Sequence, residues 1–92
     1  MKTTELVKKV SQRTNVSAAD SKLVINATLD IIAEALRDDE QVQLTGFGTF
    51  SSQIRPGREM KGVLNRDVIV IEEKKIPRFK SGASLKRIVA SE

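Results

Sequence analysis

The sequence has no cysteine, histidine, tryptophan or tyrosine, and only two prolines and three phenylalanines in 92 residues. Lack of cysteine excludes disulfides and fits a reducing compartment. Lack of both cysteine and histidine removes the usual ligands of zinc and soft-metal sites, so neither a metal nor a cofactor is expected. The commonest general base and the best thiol nucleophile are missing as well. Asp, Glu, Ser and Lys remain, but no pattern groups them, so no enzymatic activity is expected. No apolar run approaches a membrane span. The opening Met1-Lys2-Thr3-Thr4-Glu5 leads into no apolar stretch and does not read as a signal peptide.

The length suggests one domain. A chain this short buries a modest fraction of its surface and often needs disulfides, a metal or a partner chain. With the first two excluded, oligomerisation is the expected aid.

What is present is positive charge, and it is segregated. Residues 1–54 hold six Lys/Arg against seven Asp/Glu, whereas residues 55–87 hold ten against four. The formal net charge is +4. Such a basic half is the electrostatic footprint of a polyanion binder.

Thr3 or Thr4 can cap a first helix, with Leu6, Val7 and Val10 as its apolar face and an end near Thr14-Asn15. Ser17, with Asp20 three residues on, is a weak capping box for a second helix over Ala18 to Arg37. That helix carries Leu23, Val24, Ile25, Leu29, Ile31, Ile32 and Leu36, more than one surface stripe. It should be buried on several sides, which a second copy of the chain would achieve. Asp38-Asp39-Glu40 follows, although acidic groups oppose the helix dipole there. Gln41-Val42-Gln43-Leu44 alternates as a strand, Gly46 and Gly48 bracket Phe47 in a tight turn, and Thr49 to Arg55 continues the sheet. Pro56-Gly57 interrupts it. Val68-Ile69-Val70-Ile71 resumes β-character, and Ile76 to Phe79 leads to a short helix capped by Ser81 or Gly82, with Ala83, Leu85, Ile88 and Val89 on its apolar side. Arg55 to Lys75 therefore reads as a long basic hairpin. A lone two-stranded ribbon is marginal in water and is expected to order on its ligand.

This order of elements, with Val42-Gln43-Leu44-Thr45-Gly46-Phe47-Gly48-Thr49-Phe50 and Pro77-Arg78-Phe79-Lys80-Ser81-Gly82 followed by Leu85-Lys86, resembles the HU/IHF family of bacterial DNA-bending proteins over nearly the whole chain. The resemblance implies an α+β fold: two N-terminal helices, a three-stranded antiparallel sheet with an extended β-arm, and a short C-terminal helix. It divides one domain into a helical dimerisation base with core strands (1–54), a DNA-binding arm (55–75), and the end of the core with the last helix (76–92). It implies an intertwined homodimer, or a heterodimer with another family member, with Leu29, Ile32, Leu36, Leu44, Phe47, Phe50 and Phe79 in the dimer core. The arms would reach around double-stranded DNA through the minor groove. The implied location is the cytoplasm, associated with the nucleoid, or a host cytoplasm if the protein is phage-encoded.

Arg55, Arg58, Lys61 and Arg66 are expected to line the arm, and Lys75, Arg78, Lys80 and Lys86 the flank of the body. Backbone amides near Gly46, Gly48 and Ser81 would add phosphate contacts. Phosphate contacts give affinity without much sequence information. At the tip the family's Arg-Asn-Pro is matched by Lys61, Gly62 and Val63. The wedge proline is absent there, and Val63 or Leu64 becomes the candidate wedge between base pairs. A glycine-preceded tip costs more to order than one fixed by proline. The readings that compete are site-preferring, IHF-like bending, single-stranded nucleic-acid binding, and a family member that acts mainly as a heterodimerisation or regulatory partner.

Overall fold

The computed structural model describes residues 1–61 and 68–91. They form two compact units, Met1–Glu34 and Ala35–Glu92.

In the first unit, helix α1 spans Thr3–Thr14, and helix α2 (Ala18–Arg37) begins there and ends in the second unit. The cap of α1 is Lys2, which is extended and makes no side-chain cap bond. Its carbonyl accepts the first helical bond, from Leu6 N at 3.0 Å. Thr3 is thereby already helical, which corrects the expected threonine cap. Asn15 closes α1 in the left-handed conformation, at φ 60°. Between the helices, Ser11 Oγ donates to Val16 O at 2.6 Å and Ser17 Oγ accepts from Asp20 N at 3.1 Å. The Ser17 cap read from the sequence is thus present, and α2 has the expected bounds.

The second unit is built on a three-stranded antiparallel sheet in the order β1-β2-β5, where β1 is Val42–Leu44, β2 is Gly48–Arg55 and β5 is Lys74–Ser81. Strands β3 (Arg58–Lys61) and β4 (Val68–Ile71) pair as a separate antiparallel ribbon, Arg58 opposite Ile71 and Lys61 opposite Val68. Pro56-Gly57 lies between β2 and β3, where a residue lacking an N–H and one lacking a side chain end the ladder. Helix α3 (Ala83–Ala90) follows β5, with extended Gly82 as N-cap and no side-chain cap bond; Ser81 is the last residue of the strand.

The β1–β2 turn is closed by Phe47 N donating to Leu44 O at 2.9 Å, with Gly46 at φ 81°. That angle, third in a four-residue turn, is one that side chains resist. Phe47 O then accepts from Gly82 N at 2.8 Å, tying the turn to the start of α3. The Phe79 ring lies 4.7 Å from that of Phe50 and 5.7 Å from that of Phe47, both tilted, as aromatic pairs prefer.

Gly48 is buried under this cluster. A Cβ there would meet the Phe79 ring at 2.5 Å and the Lys80 carbonyl at 2.6 Å. Gly48→Ala is therefore expected to destabilise the fold by about 1–3 kcal/mol through overpacking. Chemical denaturation at fixed protein concentration measures this, and a midpoint equal to wild type would contradict the packing described.

Candidate nucleic-acid interface

Residues opposite one another in an antiparallel ladder share a face, and neighbours along a strand alternate. The β2–β5 register therefore sorts the sheet into two surfaces. On one lie Thr49 opposite Lys80, Ser51 opposite Arg78, Gln53 opposite Ile76 and Arg55 opposite Lys74, with Gln43 of β1 beside Thr49. This surface carries four cations and no carboxylate. On the other lie Val42, Leu44, Phe50, Phe79, Pro77 and Ile54, with Ser52 and Lys75.

A depression of about 560 Å³ is lined by Ser51, Ser52, Gln53, Arg78, Phe79 and Lys80, residues of adjoining rungs of β2 and β5. Arg55 and Lys74 form the last rung, where β2 gives way to Pro56-Gly57. Like charges directly opposite each other weaken a sheet, and a bound polyanion removes that cost. Beyond Gly82, the first turn of α3 has no acidic residue, and its amide groups bear the positive end of the helix dipole. Lys86 lies one turn in, its amide bonded to Gly82 O at 3.1 Å.

The structure thus brings Arg55, Arg78 and Lys80 onto one face; Ser81 ends β5 opposite Gly48, on the other face of the ladder, and Lys86 lies in α3. Gly46 shapes the turn, and Gly48 is a packing position. Lys74 shares the basic face although the sequence reading passed over it. The signal was available, since counting back by twos from Lys80 through Arg78 reaches Lys74 and not Lys75. Arg58 and Lys61 fall on β3; Gly62, Val63, Leu64 and Arg66 lie outside the described residues.

Lys75 is on the opposite face. Its Nζ donates to Asp39 Oδ1 at 2.9 Å and to the Arg37 carbonyl at 2.6 Å. Ser52 Oγ donates to the same Asp39 oxygen at 3.3 Å. The acidic run after α2, which looks unfavourable against the helix dipole, is thus met by a lysine ammonium on the helix's last carbonyl.

A basic, acid-free sheet face at the root of a two-stranded ribbon is a surface suited to a polyanion such as DNA. Residues 1–90 match the family described as "Bacterial DNA-binding protein". DNA-binding protein HU-1 of Halalkalibacterium halodurans is 39% identical over 89 residues, covering 97% of this chain and 99% of that one. DNA-binding protein HU of Thermotoga maritima is 39% identical over 87 residues, covering 92% and 94%. Among solved structures, an Anabaena HU–DNA cocrystal structure matches with a TM-score of 0.89 at 30% identity, covering 100% of both chains. HU from Thermotoga maritima matches with a TM-score of 0.69 at 30% identity, covering 97% and 98%. The chain belongs to the HU/IHF family of bacterial DNA-binding proteins, and it is an HU-type architectural protein rather than an enzyme.

The Lys75 ammonium, first by its hydrogen bond and then by its charge, holds the Asp39 carboxyl below the usual aspartate range. A depressed folded-state pKa stabilises the fold above the unfolded value and is lost as pH falls through the folded one. The contact should therefore be lost at a lower pH than that at which an unpaired aspartate protonates. Carboxyl carbon-13 NMR should place the Asp39 midpoint lower in the wild type than in Lys75→Gln; equal midpoints would contradict the pairing.

Proposed function

We propose that the protein acts as a homodimer that wraps and bends double-stranded DNA with little sequence preference. DNA would lie on the basic sheet faces, with the two β-arms following the minor groove. The observation that carries this reading is the acid-free face of Arg55, Lys74, Arg78 and Lys80 at the root of the ribbon. Arg58, Lys61 and Arg66 would extend the phosphate contacts along the arm, and Lys80, Ser81 and Lys86 would continue them onto the start of α3.

The need for a partner chain rests on burial. Among the described residues Val7 is the only buried apolar side chain, while Leu23, Val24 and Ile31 of α2 are each more than 60% exposed. Leu29, Leu44, Phe47 and Phe79 are exposed as well. Apolar area of this extent stabilises a fold only when removed from water, and a second copy supplies a matching surface by symmetry. The same arrangement disfavours single-stranded binding. The three phenylalanines cluster around Phe79, on the face away from the cations, leaving no aromatic platform among them for stacked bases. An HU-type role implies action in the cytoplasm, on the nucleoid.

Gel-shift titration of linear, nicked and four-way-junction duplexes tests this function. Binding should be tighter to the nicked and junction forms, which cost less to bend. If roughly six to ten phosphates are contacted, affinity should fall about 10³–10⁵-fold between about 50 and 200 mM salt. Equal affinity at the two salt concentrations would contradict phosphate-dominated binding.

A further inference from the structure

We propose that Asp39 is a positioning residue for the arm: with Ser52 it clamps Lys75 against the end of α2, fixing the arm's root and leaving Lys74 to face DNA. The inference rests on the DNA-binding reading and assigns opposite tasks to two adjacent lysines.

Glu40 N donates to Ala35 O at 2.8 Å and Asp39 N to Leu36 O at 3.2 Å. This 6→1 and 5→2 pair is the Schellman close of a helix, in which the residue at the position of Asp39 is left-handed and most often glycine. Asp39 has φ 60°, a conformation unfavourable for most side chains, though Asp and Asn tolerate it best. A glycine would remove the strain but also the carboxylate. Here the carboxylate has two donors from the sheet, Lys75 Nζ at 2.9 Å and Ser52 Oγ at 3.3 Å. The same ammonium satisfies the Arg37 carbonyl, one of the orphan acceptors at a helix C-terminus.

The position of this cluster gives it a role. Lys75 is opposite Ile54 on the rung next to Arg55–Lys74, the last of the eight that join β2 to β5. Past that rung the chain runs to Pro56-Gly57 and the ribbon. The clamp therefore holds both strands near the end of the ladder from which the arm departs, β5 through Lys75 one rung from the last and β2 through Ser52 three rungs from it. Because neighbours on a strand point to opposite faces, the Lys75 ammonium is drawn away from the surface that carries Arg55, Arg78 and Lys80, and Lys74 is directed to it. An exposed ion pair alone contributes little. This one is joined to a helix carbonyl and a hydroxyl, so its effect is on where the strand ends are held.

The test uses the full-length protein with Lys74→Gln, Lys75→Gln, Asp39→Asn and the Asp39→Asn/Lys75→Gln double variant. Asn keeps the size of Asp39 and tolerates its backbone angle. Duplex affinity is measured against salt, and amide hydrogen exchange is followed at Ile54, Arg55 and Lys75. Salt-dependent binding by the wild type tests the DNA-binding reading itself; differences among variants test the inference. Lys74→Gln should make the log–log salt slope shallower by about 1.8, one phosphate's worth for each of the two copies in the dimer, and so reduce the affinity loss between about 50 and 200 mM salt by about 12-fold. Lys75→Gln and Asp39→Asn should leave the slope unchanged. Each should instead speed exchange at the last rungs by roughly twofold to fivefold, the range of an exposed ion pair's coupling. The double variant should match Lys75→Gln, which already removes the Asp39 pairing together with the Arg37 carbonyl contact. A shallower slope in Lys75→Gln, or wild-type exchange at these amides in Asp39→Asn, would overturn the proposal.

Discussion

The eight-rung ladder between β2 and β5 is the constraint on which the rest of the structure depends. An antiparallel pairing in fixed register leaves no freedom in which side chains share a face. Once Phe50 is opposite Phe79, the positions of Arg55, Lys74, Arg78 and Lys80 follow, and so does the opposite position of Lys75. A slip of one residue would carry the cations into the apolar face and the phenylalanines onto the basic surface. The packing of Phe79 over Gly48 locks this register, since no other residue leaves room for the ring.

Each face then has a requirement the chain cannot meet alone. The apolar face and α2 expose large side chains that need cover, and the basic face places like charges opposite one another. On the proposed function, a second copy would answer the first requirement and DNA the second, so that dimerisation and DNA binding would both follow from one sheet. The arm begins where the ladder ends, so its direction is set by how the last rungs are held, and the structure holds them through Asp39, Ser52 and Lys75.

Much of this was legible in the sequence. The bounds of α2 followed from the Ser17 cap and the density of apolar residues, the turn from Gly46-Phe47-Gly48, and the end of the sheet from Pro56-Gly57. These are local signals, governed by capping, propensity and backbone freedom. The α1 cap was misplaced because two threonines at the right spot outweighed Lys2, which caps through its backbone alone. The two lysines before Pro77 were harder. Their faces depend on a register set by residues some 25 positions earlier in the chain, such as Thr49 with Lys80 and Ser51 with Arg78. Charge alone grouped Lys75 with Arg78 and Lys80; alternation would have chosen Lys74. The acidic run after α2 read as an unfavourable end because its partner lies 36 residues away.

The central claim is that the cationic face of the sheet is the surface that meets DNA. Lysine acetylation read by mass spectrometry, with and without a saturating duplex, measures this at each position. Lys74 and Lys80 are predicted to be strongly protected by DNA. Unchanged reactivity of Lys74 and Lys80 under a saturating duplex would contradict the account.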